Sequence, residues 1–177
     1  MSTIYVCGVG MTPFGRYPEK SVKDLTRESV TAALEDARAS MGDVEAAYFT
    51  SSTNSYLQGQ SFVPGQIALR SMGFEGIPMF NVENACASGS SAFSLAGQAL
   101  RAGDHDVVLA VGAEKMFVED KARMFGVFDG GWDVENPDQN RDRLLALGGG
   151  VEVPEGTTSP KPYSVFMDVY AAFARQH

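Results

Sequence analysis

Residues 106–112 contain five consecutive apolar side chains, Val107, Val108, Leu109, Ala110 and Val111, closed by Gly112. A strand with one face in water alternates polar and apolar residues, so an unbroken run implies burial on both faces. Such a strand needs cover on two sides, and the rest of the chain offers it. Residues 21–40 place Val22, Leu25, Ser29, Val30, Ala33, Leu34 and Ala37 at helical spacing, with Ser21 to cap the first turn and Gly42 to stop the helix. The charges of this stretch fall mainly off that stripe and read as a solvated face. Residues 44–50 and 78–83 read as further strands. Residues 4–9, closing on Gly8 and Gly10, read as a buried first strand with Cys7 in the core. Pro64 suits the first turn of a short helix with Ile67, Ala68 and Met72 on its apolar face and Gly73 at its end. Strands and helices in this alternation indicate a mostly parallel α/β sheet, layered with helices on both faces and joined by right-handed crossovers. Ligands of such sheets bind beyond the carboxyl ends of the strands.

One of those carboxyl ends carries a cysteine. Residues 78–83 run into Asn84-Ala85-Cys86-Ala87-Ser88-Gly89-Ser90-Ser91, and Phe93, Ala96, Ala99 and Leu100 then recur at helical spacing. Cys86 is therefore expected at the first turn of a helix. Unpaired N–H groups and the positive end of a helix dipole favour a thiolate over a thiol, which is how a cysteine nucleophile is made. Its small neighbours would let a substrate carbonyl approach, and its own N–H would face a developing oxyanion. Pattern alone leaves a second reading open, because free cysteines are often buried and small residues at such a turn also serve close packing. Ser51 and Ser52, in a polar loop through residue 59, have no histidine-and-acid partner and read as turn residues.

Residues 84–90, together with Leu109-Ala110-Val111-Gly112-Ala113-Glu114-Lys115-Met116, closely resemble the thiolases, and the sterol-carrier-protein thiolase class in particular. The opening Tyr5-Val6-Cys7-Gly8-Val9-Gly10-Met11-Thr12-Pro13-Phe14-Gly15 extends the likeness, which runs the length of the chain but only through the N-terminal half of that family's fold. The resemblance implies that Cys86 is the acyl-accepting residue of an acyl-CoA C-acyltransferase acting by thiolysis of a 3-ketoacyl-CoA or by the reverse Claisen condensation. It implies a coenzyme A thioester as substrate, with no covalently bound cofactor and no metal. The activating histidine, the second cysteine and the oxyanion motif of the family have no counterpart here. The only histidines are His105, in a turn before residue 106, and His177. The expectation is thus a thiolase N-terminal half whose partner half lies elsewhere. The alternative is a thiolase-fold binding or assembly subunit without catalysis.

Two domains are expected, an α/β domain over residues 1–116 and the beginning of the thiolase loop domain over residues 117–177. From Phe117 onward Gly126, Gly130, Gly131, Pro137, Pro154 and Pro160 interrupt the strand–helix rhythm, and Gly148-Gly149-Gly150 reads as a flexible linker. Residues 164–176 return to helical spacing, with Val165, Phe166, Val169, Tyr170 and Phe173 on one face. In thiolases the corresponding helix borders the acyl pocket, which makes Phe166 and Met167 candidates for touching substrate.

The formal charge of −8 over 177 residues argues against nucleic acid and anionic membrane surfaces as partners. Neither Cys7 nor Cys86 has a metal-like spacing to another ligand. With no leader pattern and no long apolar run, the chain reads as soluble and cytoplasmic. The resemblance adds a homodimer or a complex with the missing half, in which residues 78–83 pair with their mate across the interface. In some members of the class it also adds a small acyl-binding partner subunit.

Overall fold

The structure, a computed structural model, describes residues 3–150 and 165–176. It divides into two compact units, Met1–Val127 and Phe128–His177.

In the first unit, helix α1 (Val22–Ala37) begins where the sequence places its cap. The Ser21 side chain accepts from the N–H of Asp24, and the Asp24 carboxylate accepts from the N–H of Ser21. It ends earlier than Gly42 suggests. Arg38 takes the left-handed conformation, φ 54° and ψ 36°, and its N–H closes on Leu34 and Glu35. Strand β1 (Ala46–Thr50) follows. Residues 51–59, expected as a loop, contain a short helix, α2 (Asn54–Gln58), and α3 (Pro64–Arg70) starts on Pro64 as its first helical residue. Then come β2 (Met79–Val82), α4 (Ser88–Ala102), β3 (Val108–Gly112) and α5 (Lys121–Gly126).

The three strands form a parallel sheet in the order β2-β1-β3, with Ala47 opposite Met79 and Leu109. Every residue of β1 is buried. Ala47 and Phe49 face α1 and α3, packing with Val30, Leu69, Leu25 and Ala68. Tyr48 faces the other way, onto Ala92 and Ala96 of α4. Period-two alternation on one central strand therefore fills both layers, and full burial of a side chain such as Phe49 contributes about 1.5–3 kcal/mol of transfer free energy.

Two expectations fail together at the opposite edge. Residues 4–9 form no strand: Tyr5, Val6 and Val9 are exposed, and so is Cys7, which is no core residue. Since β2 and β3 occupy both edges of β1, no central place is left for another strand. The segment lies along α1 instead. The N–H of Val9 donates to Asp36 Oδ2 at 2.9 Å, and a Cβ added at Gly8 would stand 2.3 Å from the carbonyl of Ala33. In consequence β3 is an edge strand: Leu109 and Val111 pack toward α1 and α3 and Val108 toward α4, but none of its residues is fully buried, and an open groove of about 1380 Å³ runs beside it.

In the second unit α6 (Pro137–Ala146) packs with α7 (Val165–Gln176). Gly148 is more than a linker, because it is buried at the close approach, where its Cβ would lie 3.0 Å from the Cα of Ala172. Among the described side chains of α7, Val169 and Ala172 are buried, whereas Tyr170 and Phe173 are exposed. Pro154 and Pro160, counted above among the breaks, lie outside the described residues, as does His177.

Candidate active site at the cysteine elbow

Strand β2 stops at Val82, and the chain must reverse its local geometry to enter α4. It does so through a single 3-10 turn, Ala85–Ala87, that runs directly into Ser88. Cys86 is the middle residue of that turn, at the carboxyl end of the sheet, and its side chain is exposed. Ala85, Ala87, Gly89 and Ser90 around it are exposed as well, and a Cβ added at Gly89 would meet nothing within 4 Å. The core-cysteine reading is therefore not the environment found.

The residue before the cysteine is strained. Ala85 has φ +45°, a left-handed conformation that costs an L-residue about 1–2 kcal/mol. Strain of this kind persists only where the surroundings over-determine it. Here they do. The Glu83 carboxylate accepts from the N–H of Ala85 at 2.6 Å, and Ser88 Oγ donates to the carbonyl of Ala85 at 2.8 Å while accepting from the N–H of Asn84 at 2.7 Å. Ser88 is buried beneath the turn. The Asn84 side chain donates to Ser91 Oγ at 2.9 Å, tying the strand end to the second turn of the helix.

Ser52, read from sequence as a turn residue, belongs to this assembly. Its Oγ stands 2.9 Å from both the carbonyl of Ala85 and Ser88 Oγ. Glu114, just past β3, accepts hydrogen bonds from Ser51, Ser52 and Thr53. Glu114 stands inside the stretch that carries the family resemblance, but nothing in the sequence joins it to residues 51–53. That juxtaposition comes from β1 and β3 being parallel neighbours that end together, with Thr50 opposite Gly112. Next to it, Lys115 Nζ donates to the carbonyls of Pro18 and Lys20, at 2.9 Å and 2.5 Å.

Phe166 and Met167 belong to the second unit, where Phe166 packs on Trp132 with ring centroids 4.6 Å apart and Met167 is exposed. His105 precedes β3, at the amino end of the sheet, with Nδ1 3.9 Å from Glu45 Oε2. It is thus at the opposite end from Cys86. Among the described residues no group of three or more His, Cys, Asp and Glu side chains is placed to hold a metal ion, and no helix is long and apolar enough to cross a membrane.

Comparison with known proteins agrees with this architecture. The family model of the thiolase N-terminal domain matches residues 4–144. Non-specific lipid-transfer protein-like 2 of Caenorhabditis elegans is 34% identical over 177 residues, covering 98% of this chain and 39% of the relative. Sterol carrier protein 2 of Homo sapiens is 37% identical over 116 residues, 64% of this chain and 20% of its own length. An acetyl-CoA acetyltransferase of Methanothermobacter thermautotrophicus is 35% identical over 116 residues, 66% of this chain and 30% of its own. The chain thus spans well under half the length of each of these relatives. Among solved structures, 3-oxoacyl-[acyl-carrier-protein] synthase III from Aquifex aeolicus superposes with a TM-score of 0.51 at 18% identity, over 61% of this chain and 34% of that one, a likeness of fold. A parallel sheet covered on both faces, a strand-to-helix elbow and the match over residues 4–144 together place the chain in the thiolase family, as its N-terminal domain.

Proposed function

We propose that this chain carries the acyl-accepting half of an acyl-CoA C-acyltransferase, with Cys86 as nucleophile. The observation that carries the reading is the exposed Cys86 on a strained turn at the mouth of the 15-residue helix α4. The Cys86 sulfur attacks the C3 carbonyl of a 3-ketoacyl-CoA, and the oxyanion is received by the N–H of Cys86, since those of Ala85 and Ala87 already donate to Glu83 and Asn84. The bond between C2 and C3 then breaks, leaving the acyl group on sulfur, while C2 takes a proton and departs as acetyl-CoA. A second CoA thiol removes the acyl group as a new thioester. Run backwards, the sequence is a Claisen condensation. In this reading a base from the rest of the family's fold takes the Cys86 thiol proton as the sulfur attacks, and an acid there protonates C2. The proton of the second CoA thiol is passed to the departing Cys86 sulfur. His105, at the amino end of the sheet, is not placed for any of these transfers.

In the same reading residues 117–177 begin a loop domain over the site, Phe166 and Met167 line the acyl pocket, and the protein works as a dimer in a reducing, cytoplasmic compartment. The names of two relatives, a lipid-transfer-like protein and a sterol carrier protein, favour a second reading in which the fold holds a lipid without turning it over.

Incubation with an acyl-CoA, followed by intact mass and peptide mapping, separates the two. The acyltransferase reading expects one acyl group on Cys86, none on Cys7, and none in Cys86→Ala. Sustained CoA release should be at least 100-fold below that of a complete enzyme, since the general acid and base are absent. An unmodified Cys86 alongside tight retention of the acyl-CoA would establish the binding reading.

A further inference from the structure

We infer that Glu114 is a positioning residue for the Cys86 turn, acting through Ser52; the inference rests on the reading of Cys86 as acyl acceptor. One carboxylate gathers four donors from three consecutive residues. These are Ser51 Oγ at 3.3 Å, the N–H of Ser52 at 2.5 Å, the N–H of Thr53 at 3.1 Å and the Thr53 hydroxyl. An ionised carboxylate offers about four lone-pair sites, so this set fills it and fixes the loop after β1 to the end of β3. A loop tied only to itself would have no bearing on the cysteine. Ser52 gives this one a reach of its own, because its hydroxyl stands 2.9 Å from the carbonyl of Ala85 and 2.9 Å from Ser88 Oγ.

The carbonyl of Ala85 and the N–H of Cys86 belong to the same peptide group. That group is planar and trans, so its C=O and N–H point in opposite directions. Hydroxyls of Ser52 and Ser88 hold the oxygen on the inner side of the turn, which aims the Cys86 N–H away from them. Ala85 has the left-handed φ of +45°, from which the peptide relaxes by rotating if its oxygen is released. Glu114 therefore acts two hydrogen bonds away from the peptide that would stabilise an oxyanion. Its loss should slow reactions that need that N–H and spare those that need only the sulfur.

The test uses the full chain with Glu114→Ala, Glu114→Gln and Ser52→Ala. Three quantities are compared: acylation of Cys86 by an acyl-CoA, alkylation of Cys86 by iodoacetamide, which forms no oxyanion, and amide hydrogen exchange over residues 85–88. For Glu114→Ala and Ser52→Ala the acylation rate should fall about 10-fold or more, as for weakening of one oxyanion donor. Alkylation should stay within about 2-fold, while exchange over residues 85–88 should quicken with that of α1 unchanged. Glu114→Gln keeps an acceptor oxygen for the N–H of Ser52 and should restore most of the acylation rate. Acylation and local exchange equal to wild type in both variants would overturn the assignment. So would acylation and alkylation falling together with faster exchange in α1, the mark of general loosening. If wild-type Cys86 is not acylated at all, the nucleophile reading has failed, and exchange over residues 85–88 alone decides whether Glu114 holds the turn.

Discussion

Ser21 and Asp24 form a closed ring of hydrogen bonds at the start of α1: Ser21 N–H and Oγ donate to Asp24 Oδ2 at 2.9 Å and 2.6 Å, and Asp24 N–H returns to Ser21 Oγ at 3.2 Å. The hydrogen bond from the Ser21 side chain, then that from its backbone, holds the Asp24 carboxyl below its ordinary value of 3.8. Because the folded state prefers the ionised form, the stabilisation is complete above the ordinary carboxylate range. It is lost as pH falls through the lower folded value. Asp24→Asn should therefore lower the melting temperature at neutral pH, and the gap from wild type should close on acidification below about pH 4. Thermal melts followed by circular dichroism at a series of pH values would check this; a gap that persists undiminished into strong acid would contradict it. The cap was readable in the sequence because its partners lie three residues apart. The Ser52–Glu114 contact was not, because its partners are 62 residues apart and meet only through strand pairing. For the same reason Cys86 could be placed at its turn from sequence, while the groups that hold the turn could not be named.

At the level of elements, α3 comes unusually close to the sheet, and Gly65 makes this possible. An added Cβ would stand 2.5 Å from the Phe49 Cβ and 2.8 Å from Asn81 Oδ1, which already accepts the N–H of Gly65 at 2.8 Å. Neither neighbour is the loose end of a flexible chain: Phe49 is wholly buried in the central strand, and Asn81 is held by its amide donating to Gln66 Oε1 at 2.7 Å. Gly65→Ala should cost about 1–3 kcal/mol, seen as a lower denaturation midpoint with little change in slope. An alanine variant as stable as wild type would show that the helix can lift off at no cost. Pro64 announced the helix in the sequence. Its separation from the sheet depends on which residues of β1 and β2 lie beneath it, and local periodicity does not contain that information.

For the whole molecule, both edges of the sheet are consequential. Strand β2 is one edge, with Phe80 half-exposed and stacked on Tyr48 at 5.0 Å between centroids, and an edge strand is a ready template for another strand. In the proposed dimer β2 pairs with its mate there, and light scattering at micromolar concentration should give twice the chain mass; a stable monomer would count against the pairing. The other edge is β3. Its all-apolar run promised burial on both faces and residues 4–9 promised a sheet one strand wider, yet Ala110 is exposed and residues 4–9 lie along α1. Apolar composition states that a segment gains by leaving water, but not which surface receives it. By itself the sequence determined what depends on neighbours a few residues apart: the cap at Ser21, the Pro64 start, strands β1 to β3, the turn that presents Cys86, and the α/β class that follows from their alternation. Only the tertiary structure decided the strand order β2-β1-β3, the exposure of Cys7, the tight seat of Gly65 and the meeting of Glu114 with Ser52. Each of those depends on contacts between residues distant in the chain, whose free energy exists only once the sheet has chosen its neighbours.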